Sequence, residues 1–177
     1  MNWKEENDST KLTILLFSIY LAALAWILIF KLGVRFSYME QRQVNLIPFV
    51  DYFSKTGKLD LAEVIMNIFI FIPLGVYAAI LFKRWFFISN VFFFFLTSLL
   101  VESIQFVFKI GAFDSSDIIT NTFGGIIGFF LFQLFAKVFN SSEKAQKITN
   151  VIAGIATFLM IIFLILLKTN QLGVRYQ

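Results

Sequence analysis

Residues 61–82 read LAEVIMNIFIFIPLGVYAAILF, and this stretch decides the class of fold. Its single charged residue, Glu63, stands near its beginning. As a helix rising 1.5 Å per residue, the stretch would be about 33 Å long. Roughly 18 or more apolar residues with few charges are enough to cross the hydrocarbon core of a bilayer. The stretch therefore predicts a transmembrane helix.

Four further apolar stretches accompany it, and they lie at 12–30, 85–108, 117–139 and 148–167. The first could also be a signal peptide cleaved after Ala23-Leu24-Ala25, but apolar residues continue through 26–30 and favour a retained helix. We predict an all-α fold, a polytopic transmembrane bundle of about five spanning helices. The expected organisation is a polar N-terminal segment at 1–11, a transmembrane domain at 12–167 and a polar C-terminal tail at 168–177.

The composition favours a membrane protein and excludes several kinds of chemistry. Of the 177 residues, 59% are hydrophobic and 15% are charged, whereas about a quarter are charged in soluble domains. Cysteine and histidine do not occur, which excludes disulfides, thiolate nucleophiles, imidazole metal ligands and serine–histidine triads. We expect no metal and no cofactor. The net charge of +4 comes without a nucleic-acid-binding motif, so the expected partner is the lipid bilayer.

The distribution of lysine and arginine gives the expected orientation. With five spans, the two termini lie on opposite sides of the membrane. The two sides carry seven and eight of these residues, and five of the eight fall in the long connection at 31–60. The short loops carry most of the topological signal and favour a cytoplasmic N-terminus.

Polar pairs inside the spans all lie toward one membrane surface. The pairs are Glu63 and Asn67, Glu102 and Gln105, and Asp117 and Asn121. The members of each pair are three or four residues apart and so share a helix face. Because successive spans alternate in direction, all three pairs and the connection carrying Arg42 and Asn45 meet on the same side. An ionisable group costs roughly 2.5–3.5 kcal/mol at the centre of a span, so this convergence predicts a binding site.

Each polar feature also has a purely structural interpretation. Polar side chains often hold membrane helices together, and Asp117 suits the positive end of a helix dipole. The same-side placement of three pairs favours a site over unrelated packing contacts. Gly124, Gly125 and Gly128 form a small-residue pattern that permits close helix approach. This pattern favours packing within the chain over dimer formation, and the oligomeric state stays open.

Four segments follow one another over more than half of the chain. They are NLIPF at 45–49, NIFIFIPLG at 67–75, ESIQF at 102–106 and FDSSDIITNTFGGIIG at 113–128. In this order and spacing they resemble the VanZ-like family of bacterial membrane proteins. The chain differs from many relatives at 109–112, where Lys109 is the nearest cation to an expected arginine. It also differs at Ser116-Asp117, where many relatives have two adjacent acids.

The resemblance implies a protein of the bacterial cytoplasmic membrane that lowers susceptibility to teicoplanin-type glycopeptide and lipoglycopeptide antibiotics. The candidate ligand-binding residues are Arg42, Asn45, Asn67, Glu102, Gln105, Asp114, Asp117 and Asn121. We expect them to form an acidic site near the outer face that binds an envelope lipid, a lipid-linked precursor or a lipoglycopeptide. Two alternatives stay open: a membrane-embedded enzyme that uses carboxylates on a lipid-linked substrate, and a helix-packing scaffold for another membrane protein. No catalytic residue is assigned.

Overall fold

Five long helices make up most of the part of the chain that the structure describes. The computed structural model describes residues 3–30, 44–49, 61–109 and 112–168. Its elements are, in chain order, α1 (Trp3–Phe30), β1 (Val44–Asn45), α2 (Leu61–Leu81), α3 (Phe87–Phe108), β2 (Phe113–Asp114), α4 (Ser115–Val138) and α5 (Ser142–Lys168). Each helix contains a stretch long and apolar enough to cross a membrane. The prediction of an all-α bundle with five spanning helices is confirmed. Arg42 and the tail after Lys168 lie outside the described residues.

The first and last helices begin before the apolar stretches that the sequence marks. Helix α1 begins at Trp3 rather than at Leu12, and α5 begins at Ser142 rather than at Ile148. The first turn of α5 contains Glu143, whose negative charge is favoured at the positive end of a helix dipole. Hydropathy marks where a helix enters the bilayer, whereas the helical backbone continues through polar residues beyond it.

The centre of the bundle is a close contact between the backbones of α2 and α4. A Cβ atom on Gly128 would collide with the carbonyl oxygen of Ile72. A Cβ atom on Gly124 would collide with the carbonyl oxygen of Ile68. Membrane helices approach this closely when small residues stand at the crossing, because no side chain separates the two backbones. The glycine pattern of α4 therefore lies against another helix of the same chain.

Helix α3 joins this centre through Phe94. The Phe94 ring is fully buried, and a Cβ atom on Gly125 would lie 2.6 Å from its Cγ atom. The same core cluster contains Phe71 and Leu74 from α2 and Leu24 from α1. The glycines of α4 thus face two neighbours, α2 and α3, and the core lies between these helices and α1.

Helix α1 also packs against the turn of α2 that contains a proline. Pro73 lies inside α2 and has no N–H, so the carbonyl of Phe69 lacks its usual donor within the helix. The hydroxyl of Tyr20 donates a hydrogen bond to the neighbouring carbonyl oxygen, that of Ile70, at 2.9 Å. Tyr20 therefore contributes a contact between helices where the internal bonding of α2 is weakest.

A polar clamp joins α1 to α5 at the end of the bundle that carries the N-terminus. The hydroxyl of Thr13 donates to Asn150 Oδ1 at 2.9 Å, and Gln146 Nε2 donates to Thr13 Oγ1 at 3.0 Å. Asn150 Nδ2 donates to the carbonyl oxygen of Ser9 at 3.0 Å. Thr13, Gln146 and Asn150 are buried. Because these hydrogen bonds connect helices from opposite ends of the chain, the clamp fixes where α5 packs.

Replacing Asn150 with leucine should loosen the packing of α5. The change removes the bonds that Asn150 makes to Thr13 and Ser9, whereas the bond from Gln146 to Thr13 remains. We expect the free energy of unfolding to fall by about 1–2 kcal/mol, measured by denaturant titration in detergent micelles. Ser18→Ala is the control, because the Ser18 hydroxyl bonds the Ile14 carbonyl within its own helix. Equal stability of the two variants would contradict a stabilising role for the clamp.

Candidate functional site

Two short strands close the end of the bundle where α2 and α4 begin. Strands β1 and β2 pair in parallel, with Val44 opposite Phe113 and Asn45 opposite Asp114. Asn45 Nδ2 lies 3.5 Å from Asp114 Oδ2, at the limit of a hydrogen bond. The sequence predicts that these two residues lie on the same side of the membrane, but it does not predict the strand pairing that places them together.

Asp114 connects this strand pair to two helices. Its Oδ1 atom accepts a hydrogen bond from the backbone N–H of Ser116 at 2.7 Å, which caps the N-terminus of α4. Its own backbone N–H donates to Glu102 Oε2 on α3 at 3.2 Å. The hydroxyl oxygen of Ser116 accepts from the backbone N–H of Phe49 at 2.9 Å. Three separate parts of the chain are therefore fixed around the first turn of α4.

The end of α3 turns the chain back toward this cap. Lys109 follows the last turn of α3 with a φ of 57°, in the left-handed region that a non-glycine residue rarely adopts. Its backbone N–H donates to the carbonyl oxygens of Gln105 and Phe106, which ends the helix. The chain then reaches β2 within a few residues, and Asp114 returns to the level of Glu102.

A second group of hydrogen bonds links α2 to α4. Asn67 Nδ2 donates to Asp117 Oδ1 at 2.8 Å and lies 3.5 Å from Thr120 Oγ1. The Asp117 side chain is 9% exposed and that of Thr120 is 4% exposed, so both polar groups lie in the interior of the bundle. A buried carboxylate needs such donors, because burial without them would be strongly unfavourable.

The hydrogen-bonded polar side chains at this end of the bundle, from Asn45 to Asn121, form a polar layer. Its deepest contact joins α3 to α4. Asn121 Nδ2 donates to the hydroxyl oxygen of Ser98 at 3.0 Å, and both side chains are almost completely buried. Asn121 stands four residues after Asp117, about 6 Å further along α4. Ser98 stands four residues before Glu102 and so shares its face of α3. The buried side of α3 therefore carries the polar residues Ser98, Glu102 and Gln105 beside the apolar Val101.

Comparison with known proteins identifies the family of this chain. The family model described as VanZ/LLP1 matches residues 17–137, more than half of the chain. The chain belongs to the VanZ/LLP1 family. It is 38% identical to "Protein VanZ" of Enterococcus faecium over 154 residues, which covers 85% of this chain and 89% of that protein. No solved structure matches the chain.

Membership of the VanZ/LLP1 family confirms the resemblance drawn from the sequence motifs. The matched range begins within α1 and ends within α4, so it contains every described residue of the predicted site. It does not reach Gln146 and Asn150, the α5 members of the clamp. With its five apolar helices, the chain is a multi-pass bacterial membrane protein whose outer surface contacts lipid.

Seven of the predicted ligand-binding residues fall in the described part of this VanZ/LLP1 chain, and all seven lie at the same end of the bundle. They are Asn45, Asn67, Glu102, Gln105, Asp114, Asp117 and Asn121. Glu102, Gln105, Asp117 and Asn121 are buried, whereas Glu63 is exposed in the first turn of α2. Arg42, the eighth predicted residue, lies outside the described residues. A ligand-binding role for the set stays a prediction.

Three hydroxyl residues of the layer were not predicted. Ser98 bonds Asn121, Ser116 bonds the backbone N–H of Phe49, and Thr120 lies 3.5 Å from Asn67. The spacing of Ser98 from Glu102 places both on one helix face, which could have identified Ser98. Ser116 and Thr120 gave no comparable signal, because serine and threonine are common in membrane helices and usually bond their own backbone.

Proposed function

We propose that this VanZ/LLP1 protein lowers susceptibility to teicoplanin-type glycopeptide antibiotics by binding an envelope lipid or a lipid-linked precursor. The observation that carries the proposal is the burial of Glu102 and Asp117 in one hydrogen-bonded layer of an apolar bundle. Ionisable residues inside membrane spans are costly and usually serve a function. The family resemblance supports a role in the response to glycopeptides.

The proposal includes the orientation of the site. We infer that the N-terminus is cytoplasmic, which would place the starts of α2 and α4 at the outer surface. Cations at the opposite end of the helices support this orientation, since positive charge is enriched in cytoplasmic loops. They are Lys83, Arg84, Lys137, Lys144 and Lys147. An outward-facing site would meet lipid-linked precursors on the side where glycopeptides act.

Teicoplanin susceptibility tests the proposal. The wild-type chain and the variant Glu102→Ala/Asp117→Ala would be expressed at matched membrane abundance in a susceptible Gram-positive host. We expect the wild type to raise the minimum inhibitory concentration of teicoplanin severalfold, with a smaller change for vancomycin. With the double variant, the minimum inhibitory concentration should equal that of the host without the protein. The two substitutions remove the acceptor for the Asp114 N–H and the acceptor for the Asn67 amide.

Thr122→Val provides the matched control for this experiment. The Thr122 hydroxyl bonds the Ile118 carbonyl within α4, one residue beyond Asn121, and contributes nothing to the layer. The control variant should protect as the wild type does. Full protection by the double variant would contradict the acidic site, and absence of protection by the wild type would contradict the proposed function.

The enzymatic alternative would use the same acids and is less well supported. Within the described ranges, no group of three or more acidic side chains is arranged to hold a metal ion. A metal-dependent reaction on lipid phosphates therefore has no support from these residues. General acid–base catalysis by Glu102 and Asp114 would require turnover of a lipid substrate, so recovery of chemically unchanged lipid after protection would contradict it.

A further inference from the structure

The asparagines of the polar layer direct their amide nitrogens toward other groups of the protein. Asn67 Nδ2 donates to the Asp117 carboxylate, and Asn121 Nδ2 donates to the Ser98 hydroxyl oxygen. An amide side chain donates through its nitrogen and accepts through its oxygen. Because each nitrogen donates to a protein acceptor, the amide oxygen is the atom of the side chain that is left to accept a hydrogen bond.

Asn121 carries the most informative of these oxygens. Its side chain is 1% exposed, and its Oδ1 atom accepts no hydrogen bond from any residue that the structure describes. Buried polar atoms almost always have a partner, which is supplied by protein, by ordered water or by a ligand. An acceptor in this position therefore requires a donor that the described residues do not supply.

The side chains around Asn121 are rich in acceptors as well. Asp117 lies one turn nearer the membrane surface on the same face of α4. Glu102 lies one turn from Ser98, the residue that Asn121 bonds on α3. Ionised carboxylates accept hydrogen bonds and cannot donate them. The inner part of the layer thus presents acceptor oxygens, which suit a group with several donors.

We infer that the inner part of the layer binds the hydrogen-bond-donating portion of a lipid head group, a hydroxyl or an ammonium group, with Asn121 Oδ1 as the deepest contact. This inference rests on the proposed function and names the chemical class of its ligand. Any phosphate of the same lipid would lie closer to the surface, toward the end of α3 at Lys109. The chemistry that selects the lipid is the presence of O–H or N–H donors.

A comparison of three lipids tests the inference directly. Purified wild-type protein in detergent would be titrated with diglucosyl diacylglycerol, phosphatidylethanolamine and phosphatidylcholine, and bound lipid would be counted by native mass spectrometry. Phosphatidylethanolamine and phosphatidylcholine have the same net charge, but only the former has N–H donors. We expect at least one donor lipid to bind about tenfold tighter than phosphatidylcholine. Binding of the glycolipid would indicate hydroxyl donors, and binding of phosphatidylethanolamine would indicate an ammonium group.

Variants locate this preference within the site. Asn121→Leu should reduce the preference for donor lipids about tenfold, whereas Thr122→Val should preserve it. Equal binding of all three lipids by the wild type would overturn the inference, because the site would then not recognise the donors of a head group. The wild-type comparison decides the question even if Asn121→Leu fails to fold.

Susceptibility measurements separate this inference from the proposed function. Wild-type protein that protects cells from teicoplanin but shows no preference for donor lipids would overturn the inference and leave the function standing. A clear preference for donor lipids without protection would support the inference about the site and overturn the antibiotic role. The two statements can therefore fail independently.

Discussion

Gly128→Leu will prevent α2 and α4 from packing, and the variant will lose the cooperative unfolding transition of the wild type. The added Cβ atom would collide with the carbonyl oxygen of Ile72, which belongs to the backbone and cannot rotate away. Overpacking of a core usually costs about 1–3 kcal/mol when side chains can adjust, so we expect more than about 3 kcal/mol here. Thermal unfolding and size-exclusion chromatography in detergent would measure the effect.

Gly154→Leu is the matched control for this prediction. Gly154 is also a helical glycine, but a Cβ atom added there would meet no atom within 4 Å. Both variants replace glycine by leucine in an apolar span, so they change hydrophobicity and helix propensity alike. We expect Gly154→Leu to unfold at the wild-type midpoint or above it, because leucine is the better helix former.

The same experiment separates packing within the chain from a scaffold role. If the glycines of α4 contacted another protein, Gly128→Leu would retain the folded bundle and change its assembly size. A folded Gly128→Leu variant with altered oligomer size would therefore contradict the intramolecular contact. Loss of the fold itself would identify the α2–α4 crossing as the place where these glycines act.

The fold could be predicted from hydropathy because one property, apolar length, determines how many helices cross a bilayer. The stretch at 61–82 and its four counterparts give the five helices, and alternation of direction gives the shared side of the polar residues. The helix ends could not be predicted in this way. Helix α1 begins at Trp3, within polar sequence, because backbone hydrogen bonding does not require apolar side chains and extends beyond the N-terminal limit of the apolar run.

The composition of the site was predictable, but its hydrogen bonds were not. Buried acids such as Glu102 and Asp117 are conspicuous in an apolar span. Their hydrogen-bond partners depend on which face each helix turns toward its neighbours and on the path of the loops that contain β1 and β2. Local sequence patterns predict neither. The contact between Asn45 and Asp114 follows from two short parallel strands separated by 69 positions in the chain. No local pattern predicts such a pairing.

The close helix crossing and the polar layer are parts of one arrangement. Gly124 of α4 meets the backbone of Ile68, and the residue before Ile68 is Asn67, which bonds Asp117. The glycine contact thus fixes the distance and register at which the Asn67 amide reaches the carboxylate. A glycine variant that separates α2 from α4 should therefore remove protection against teicoplanin even if some helical structure survives.

Asp117→Asn will retain the fold and remove the function. An asparagine has nearly the same shape, and its amide oxygen can accept the hydrogen bond that Asn67 Nδ2 donates at 2.8 Å. We expect the free energy of unfolding to change by no more than about 1 kcal/mol, measured by denaturant titration. The substitution removes the negative charge and replaces one acceptor atom with a donor, which should abolish protection if the ligand presents donors.

Asp117→Leu completes the comparison because it removes the charge and the hydrogen bond together. That variant should lose both stability and protection, since the Asn67 amide would be buried without its acceptor. If Asp117→Asn protected cells as fully as the wild type at equal membrane abundance, the carboxylate would act only as a partner for Asn67. The polar layer would then be a device that holds α2 to α4, and the ligand would have to bind elsewhere. Loss of protection in a stable Asp117→Asn protein would instead show that the carboxyl group is required beyond its hydrogen bond to Asn67.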